Sequence, residues 1–301
     1  MKFLVTGGAG FIGSHIAEKL KDRGDVTIFD NMSVGKEENV PGECEIIKGD
    51  IRNGNDISRA MKGVDMVFHN AAFVSIRGSF KKIKDDIDTN CTGTLNVLNA
   101  AVQAGAKKVI FASSMAVYGE PENVKAKEND RAVPISPYGM SKLRGEMYCR
   151  LLKEEYGIEY SILRYFNTYG TKQTPSPYVG VMTTFINQAI EKKPLTVFGD
   201  GNQTRDFVWV EDVADANILT AFSKKTGTYN IGSGKEVSVN CIADKIIEVL
   251  GGGKIFNEKP RGEVERICAD ITNVKKDLNF EPKGDVLEKI PQIIDWWKSK
   301  K

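Results

Sequence analysis

The chain has 301 residues, 41% of them hydrophobic, and its 42 basic and 40 acidic side chains leave a formal charge of +2. That composition fills a sizeable core and points to one large α/β unit or about two domains, while the even charge balance offers no broad field for nucleic acid or a membrane surface. Five cysteines at least 27 residues apart (Cys44, Cys91, Cys149, Cys241, Cys268) and two histidines, His15 and His69, leave little from which to build a disulfide framework, a zinc site or a histidine-centred triad.

A strand is predicted at residues 2–6, with no room before it for a secretory signal, and no apolar run approaches a membrane span, so a cytoplasmic protein is expected. Further β-branched runs at 26–29, 45–48, 66–69 and 108–112 read as buried strands, and helical periodicity falls between them at 13–22, 57–61, 92–104 and 137–156, followed by a strand at 160–165. Such alternation predicts a doubly wound parallel sheet. After Asn167 the texture changes: 171–180 is rich in Pro, Thr, Gly and Ser, and a helix at 183–192, short strands at 195–198 and 207–210, and a helix at 213–222 no longer alternate regularly. The last helix carries Ile290, Ile293, Ile294 and Trp297 at helical spacing, which suits docking on a core.

The glycine loop TGGAGFIG, Thr6 to Gly13, follows the first strand and opens a helix, the context that gives such a pattern meaning. Gly7 permits a tight turn, Gly10 lets the backbone approach a pyrophosphate, Gly13 lets helix and strand pack closely, and the helix amides then face the phosphates. Asp30 ends the second strand 17 residues beyond Gly13, where a carboxylate accepts hydrogen bonds from ribose hydroxyls and repels an added phosphate. Asn31, Met32 and Ser33 follow it, with no arginine among them, so NAD is favoured over NADP. The expected fold is α/β: a doubly wound parallel sheet (Rossmann fold) formed by residues 1–166 and 205–232 that binds NAD, with a smaller mixed α/β C-terminal substrate domain formed by 167–204 and 233–301.

The segment SPYGMSK, Ser136 to Lys142, sets a phenol and an ammonium four residues apart on one helix face, with Cβ atoms about 5–6 Å apart. Ser136 suits the N-cap and Pro137 the first helical position. A free phenol titrates near ~10 and is a poor base at neutral pH; positive charge from Lys142 and the helix N-terminus is expected to make Tyr138 a usable one.

With these motifs, GDI (from Gly49), HNAA (from His69), NCTGT (from Asn90), SSMAVYG (from Ser113), RYFNTYG (from Arg164) and GDGNQTRDFVWVEDV (from Gly199), the chain resembles the extended short-chain dehydrogenase/reductase family, and within it the UDP-glucose 4-epimerase-like enzymes. The resemblance implies an NAD-dependent isomerase that interconverts UDP-hexoses by transient oxidation at sugar carbon 4, rotation of the ketone and re-reduction. It assigns Ser114, Tyr138 and Lys142 to catalysis. To the cofactor it assigns Gly7, Gly10, Phe11, Ile12, Gly13, Asp30, Asn31, Ser33, Gly35, Asp50, Ile51, Asn70, Ala71, Ala72, Phe73, Asn90, Tyr165 and Phe166, besides Tyr138 and Lys142. To the substrate it assigns Asn167, Val181, Phe198, Arg205 and Arg261 beside Ser114 and Tyr138.

Asn70 and Phe73 suit packing as well as cofactor contact, Val181 and Phe198 suit a plain core, and Arg261 suits the surface. Val74 stands where many relatives have lysine, and Ile267 falls at a position that gates space beside the sugar, isoleucine being small enough to leave room for an acetamido group. Met115 and Ala116 follow Ser114 where sugar 4,6-dehydratases carry an acid, which disfavours dehydration and decarboxylation. A UDP-glucuronate 4-epimerase, a keto-sugar reductase or another sugar-nucleotide dehydrogenase satisfies the same motifs, and a non-catalytic dinucleotide sensor would have lost the tyrosine present here. The expected partners are a UDP-sugar and, through helices 92–104 and 137–156, a second copy in a homodimer, with no metal, nucleic acid or membrane.

Overall fold

A computed structural model of the chain describes residues 1–173, 180–258 and 264–300. The first half runs β1 (Lys2–Thr6), α1 (Phe11–Leu20), β2 (Asp25–Asp30), β3 (Glu45–Lys48), α2 (Gly54–Ala60), β4 (Met66–His69), α3 (Ile76–Lys81), α4 (Ile83–Asp86), α5 (Thr94–Gln103), β5 (Lys108–Ser114), β6 (Lys125–Ala126), α6 (Pro137–Tyr156) and β7 (Glu159–Tyr165). Phe3, Leu4, Val5, Val67 and Phe68 are fully buried, as expected of strands covered by helices on both faces, and for that reason they read as unbroken apolar runs. The helix expected at 13–22 starts earlier, at Phe11, because Gly10 takes an extended N-cap conformation. The helix expected at 92–104 starts at Thr94, after residues 87–93 have wound as a wide π turn. Ser136 caps α6 by accepting from the Gly139 amide at 3.1 Å, Pro137 takes its first turn, and Gly157, at φ 70°, ends it in the left-handed region.

The second half runs β8 (Asn167–Tyr169), α7 (Val181–Ile190), β9 (Leu195–Phe198), β10 (Thr204–Arg205), β11 (Phe207–Trp209), α8 (Val210–Phe222), β12 (Gly227–Ile231), β13 (Val237–Ser238), α9 (Val239–Leu250), β14 (Lys254–Asn257), β15 (Arg266–Ala269), α10 (Thr272–Leu278) and α11 (Val286–Ser299). The main sheet is parallel and seven-stranded, in the order β12-β7-β5-β4-β1-β2-β3. Its last strand comes from the second half, Tyr229 pairing with Leu163. The smaller sheets are a four-stranded one, β13-β10-β15-β6, and the pairs β11-β8 and β14-β9. Residues 125–126, within the expected 1–166 range, pair with Cys268 and Ala269 of β15. A two-residue strand carries too little periodicity to show its partner in advance.

Two apolar cores lie on either side of the main sheet, a third joins α7, α9 and α11, and a small fourth holds Val117, Tyr118, Ala126, Phe166, Ile267 and Ala269 at the seam between the sheets. The docking expected of the last helix holds: Ile290, Ile293 and Ile294 are fully buried in the third core.

An ion pair is also buried at the seam. Arg164 donates through Nε and Nη2 to Glu146 at 2.8 and 2.7 Å, their side chains being 3% and 0% exposed, and Ser113 donates to the same carboxylate at 2.6 Å. The guanidinium lies 4.8 Å from the centre of the Tyr118 ring, whose hydroxyl donates to Asn230 Oδ1 on β12 at 2.6 Å. All five cysteines are free thiols. Among the described residues no helix is long and apolar enough to cross a membrane, and no group of three His, Cys, Asp or Glu could hold a metal ion.

Candidate functional site

The carboxyl ends of β1, β2, β4 and β5 and the first turns of α1 and α6 converge on one cleft. At its floor Gly7 turns at φ 68°, and a Cβ there would lie 2.8 Å from the Ala71 amide nitrogen; a Cβ on Gly13 would lie 2.2 Å from the Gly7 carbonyl oxygen. Neither position admits a side chain. No side chain among the described residues caps α1, so its first amides stay open to an anion. Asp30 ends β2 with Oδ2 accepting from the Ala9 amide at 3.1 Å and Oδ1 from the Met32 amide at 2.9 Å, and Gly35 packs against it. Asn31 donates to Asp50 at 3.1 Å. Arg52 also bonds Asp50, and holds that carboxyl down at about 2. At the exit of β4, the Asn70 side chain meets the Tyr165 hydroxyl at 3.4 Å, while its Nδ2 is buried without a partner among the described residues.

A glycine cradle, an uncapped helix start and an orphaned amide on one cleft suit a dinucleotide, with Gly7, Gly10, Phe11, Ile12 and Gly13 at the phosphates and Asp30 at the ribose. Val74 is exposed and adds no polar group there.

Ser114 closes β5 and Tyr138 lies in the first turn of α6, and the Ser114 hydroxyl accepts from the Ala116 amide at 3.2 Å. Lys142, one turn further on, is 4% exposed, donates to the Ala112 carbonyl at 2.8 Å and has its Nζ 5.9 Å from the centre of the Tyr138 ring. The trio assembles, but its electrostatics differ from the sequence expectation. Burial pushes the Tyr138 phenol up to about 12, with Ser114 opposing it and the charge of Asp86 adding to it. Burial lowers Lys142 to about 8, against the pull of Asp86. Desolvation, which depends on the whole fold, outweighs the local charge that the spacing reveals.

Around the trio, Asn90, Asp86 and His69 make internal contacts that their sequence positions do not reveal. The Asn90 side chain, assigned to the cofactor by resemblance, is used internally: it accepts from the Phe73 amide at 2.8 Å and donates to the Phe73 carbonyl (3.1 Å), Asp86 (2.9 Å) and Ser141 (3.2 Å). The π turn aims it there. Burial raises the Asp86 pKa, and its Oδ2 has no partner among the described residues. His69 sits between the Thr6 and Thr94 hydroxyls at 2.7 and 3.0 Å, its pKa pushed down by burial to about 3, which makes it a neutral strut.

On the facing side, Asn167 pairs with Phe207 across β8 and β11, and its Nδ2 donates to the Asp206 carbonyl at 3.2 Å and contacts Met115 Sδ at 3.6 Å. Arg205, next in line on β10, donates to the Thr204 and Glu265 carbonyls at 2.8 and 3.1 Å. Asp206 accepts from the Ser233, Gly234 and Ala269 amides at 2.7 to 3.0 Å, tying that strand down. Val181 begins α7 and packs on the third core, and Phe198 ends β9 half-buried beneath the Arg77 guanidinium. Phe166 and Ile267 are both buried in the seam core, 3% and 2% exposed. Arg261 lies outside the described residues.

The sequence matches the NAD dependent epimerase/dehydratase family over residues 3–232. It is 44% identical over 301 residues to a Methanocaldococcus jannaschii protein with the provisional name UDP-glucose 4-epimerase, 98% of each chain being covered. A UDP-N-acetyl-alpha-D-glucosaminuronate decarboxylase of Bacillus cytotoxicus is 37% identical, over 98% of this chain and 97% of its own. Among solved structures, the UDP-N-acetylglucosamine 4-epimerase of Methanobrevibacter ruminantium in complex with UDP-N-acetylmuramic acid is similar with a TM-score of 0.95 at 37% identity, covering 100% of this chain and 99% of that one.

Proposed function

The chain belongs to the NAD dependent epimerase/dehydratase family, whose members use NAD on UDP-sugars, and on that premise we propose that it is a UDP-hexose 4-epimerase. UDP-glucose and UDP-galactose are the proposed pair. N-acetylated hexoses extend it, given the likeness to a UDP-N-acetylglucosamine 4-epimerase. Residues 1–166 and 205–232 would carry the dinucleotide, and 167–204 and 233–301 the nucleotide sugar.

The observation that carries this reading is the Ser114, Tyr138 and Lys142 cluster with Met115 beside it. NAD, when bound, supplies reversible hydride acceptance, which no side chain can provide. Tyr138 takes the proton of the sugar's 4-hydroxyl and later returns it, Ser114 holds the same oxygen, and Lys142 keeps positive charge against the phenol. Its buried setting suits a proton held in reserve. Asn167 and Arg205 anchor the diphosphate, so that the hexose can turn between the two half-reactions while the nucleotide stays in place. The decarboxylase relative raises a second reading, but removing carbon dioxide or water calls for an acid next to Ser114, and the Met115 thioether has no proton to give.

With catalytic amounts of protein, UDP-glucose should equilibrate with UDP-galactose without added NAD oxidant, the bound cofactor passing through a reduced state and recovering. Loss of carbon dioxide or accumulation of a keto sugar in a panel of UDP-hexoses and UDP-hexuronates would replace this assignment.

A homodimer is proposed on the same footing. Met140, Met147 and Leu151 lie on one face of α6, and with Phe80, Ile83 and Ile87 on the neighbouring segment they are 43–59% exposed. So many large apolar side chains in one patch suit a covered surface. Sedimentation should give twice the chain mass, and Leu151→Glu the single mass; a wild-type monomer at assay concentration would remove the interface.

A further inference from the structure

Three consecutive residues after β8 each bond a different element. The Thr171 carbonyl accepts from His15 Nε2 on α1 at 3.3 Å, Lys172 Nζ donates to the Asn39 carbonyl at 3.0 Å, and Gln173 Oε1 accepts from the Thr183 hydroxyl on α7 at 2.5 Å. The first two contacts lead to the glycine cradle. Asn39 is buried, and its side-chain amide donates at 3.2 Å to the Ala9 carbonyl, which also accepts from the Lys36 amide at 3.0 Å. His15 lies one turn beyond Phe11, the first residue of α1, and the two rings meet edge to face with centroids 6.2 Å apart. Lys172 holds φ 65°, a left-handed backbone that few residues other than glycine adopt and that surrounding contacts have to maintain.

We propose that residues 171–172 form a clasp that retains the bound dinucleotide, with Lys172 as the positioning residue that acts through Asn39 on the glycine loop. This rests on the reading of the cleft as the NAD site and, for the use of slow release, on the epimerase reading above. Ala9 stands between Gly7 and Gly10, in the turn whose backbone wraps a pyrophosphate. A loop that wraps a ligand lets it go faster when the loop loosens, so whatever braces the loop acts mainly on the rate of release. The Asn39 amide braces it from inside the fold, and Lys172 holds Asn39 from the outside with a charged donor. The contact between His15 and Thr171 ties the same segment to the helix whose first amides face the phosphates. An enzyme that oxidises and re-reduces one substrate molecule has to keep the same reduced cofactor between the two steps, and a clasp on the loop serves that need.

The test uses the full-length protein loaded with NAD, with no sugar present. Released NAD is trapped by excess alcohol dehydrogenase and ethanol, and the NADH formed gives the dissociation rate for wild type, Lys172→Ala, Lys172→Arg, Asn39→Ala and the double variant Lys172→Ala/Asn39→Ala. Lys172→Ala should speed release about 5- to 10-fold, with the association rate, UDP affinity and the thermal midpoint of the NAD-free protein unchanged. Lys172→Arg keeps a charged donor for the Asn39 carbonyl and should release within about threefold of wild type. The double variant should exceed the faster single one by no more than about twofold, because both changes act on one line of contacts. Release within about twofold of wild type in Lys172→Ala overturns the proposal. So does a double variant in which the two single effects multiply, or a fall in UDP affinity and midpoint alongside the faster release, which would make the segment a brace for the whole fold. No turnover enters the measurement, so failure of the clasp and failure of the epimerase reading are told apart.

Discussion

Tyr138→Phe should lower UDP-hexose interconversion by about 10²–10⁴-fold, the range that a positioned proton-transfer group supplies, while NAD content and UDP affinity stay at wild-type values. The substitution removes one oxygen. It leaves the ring that Lys142 faces at 5.9 Å, the α6 N-cap made by Ser136 and the backbone bond to Ser79. What it takes away is a hydroxyl beside Ser114 that burial holds at about 12, so the 4-hydroxyl of the sugar would lose the group proposed to accept its proton. Ser114→Ala should cost less, because Tyr138 still reaches the oxygen. Tyr138→Phe turning over at more than a tenth of the wild-type rate would show that the proton goes elsewhere, and Ser114 with solvent would be the route to examine.

Arg164→Met should destabilise the protein by about 3–5 kcal/mol, the cost of leaving a buried charge without its partner, and lower the thermal midpoint on the order of 10 °C. Burial works against the Arg164 charge, but its hydrogen bonds to Glu146 prevail and raise its pKa. Without Arg164, the Glu146 carboxylate, which has no exposure, keeps only Ser113 at 2.6 Å and the half-exposed Arg150 at 3.1 Å. The Tyr118 ring loses the cation stacked on it. Glu146→Gln/Arg164→Met should regain part of the loss, since the double change leaves no unpaired charge. Because Ser113 adjoins Ser114, turnover of the single variant should fall more steeply on warming than its folded fraction. Denaturant unfolding that gives a loss below about 1 kcal/mol would show that Arg150 takes over the carboxylate and that the pair is no anchor.

The parts of this architecture that could be read in advance are those where a local pattern and a buried face coincide. Residues 2–6 and 66–69 are strands with those bounds because an apolar run there is covered on both faces, and residues 45–48 keep theirs as the half-buried edge strand around Ile46 and Ile47. The α6 start was legible because Ser136 and Pro137 carry the cap chemistry themselves. A helix at 239–250 had its signal too, Ser238 as cap and Val239, Ile242, Ala243 and Ile246 on the buried face, yet the irregular spacing of its neighbours hides it.

Other features depend on partners far away in the chain. Lys125 and Ala126 become a strand only because Cys268 and Ala269 lie beside them. Arg77 and Phe198 are 121 residues apart, and nothing near either one announces their contact. In the site, the Tyr138 and Lys142 pairing was visible from spacing, but the direction of the phenol's pKa was not. That direction is set by the water excluded around the ring, a property of the closed fold.

β12 completes the main sheet from the far side of residues 166–226. During synthesis, the strands of residues 2–165 emerge first, but the edge of β7 stays unpaired until Ile231 clears the ribosome, by which point residues 166–226 have already been made. The nascent sheet thus exposes an open flank for tens of residues. Its order of assembly runs last strand after lobe, so damage to the intervening stretch delays closure of a sheet to which that stretch contributes no strand.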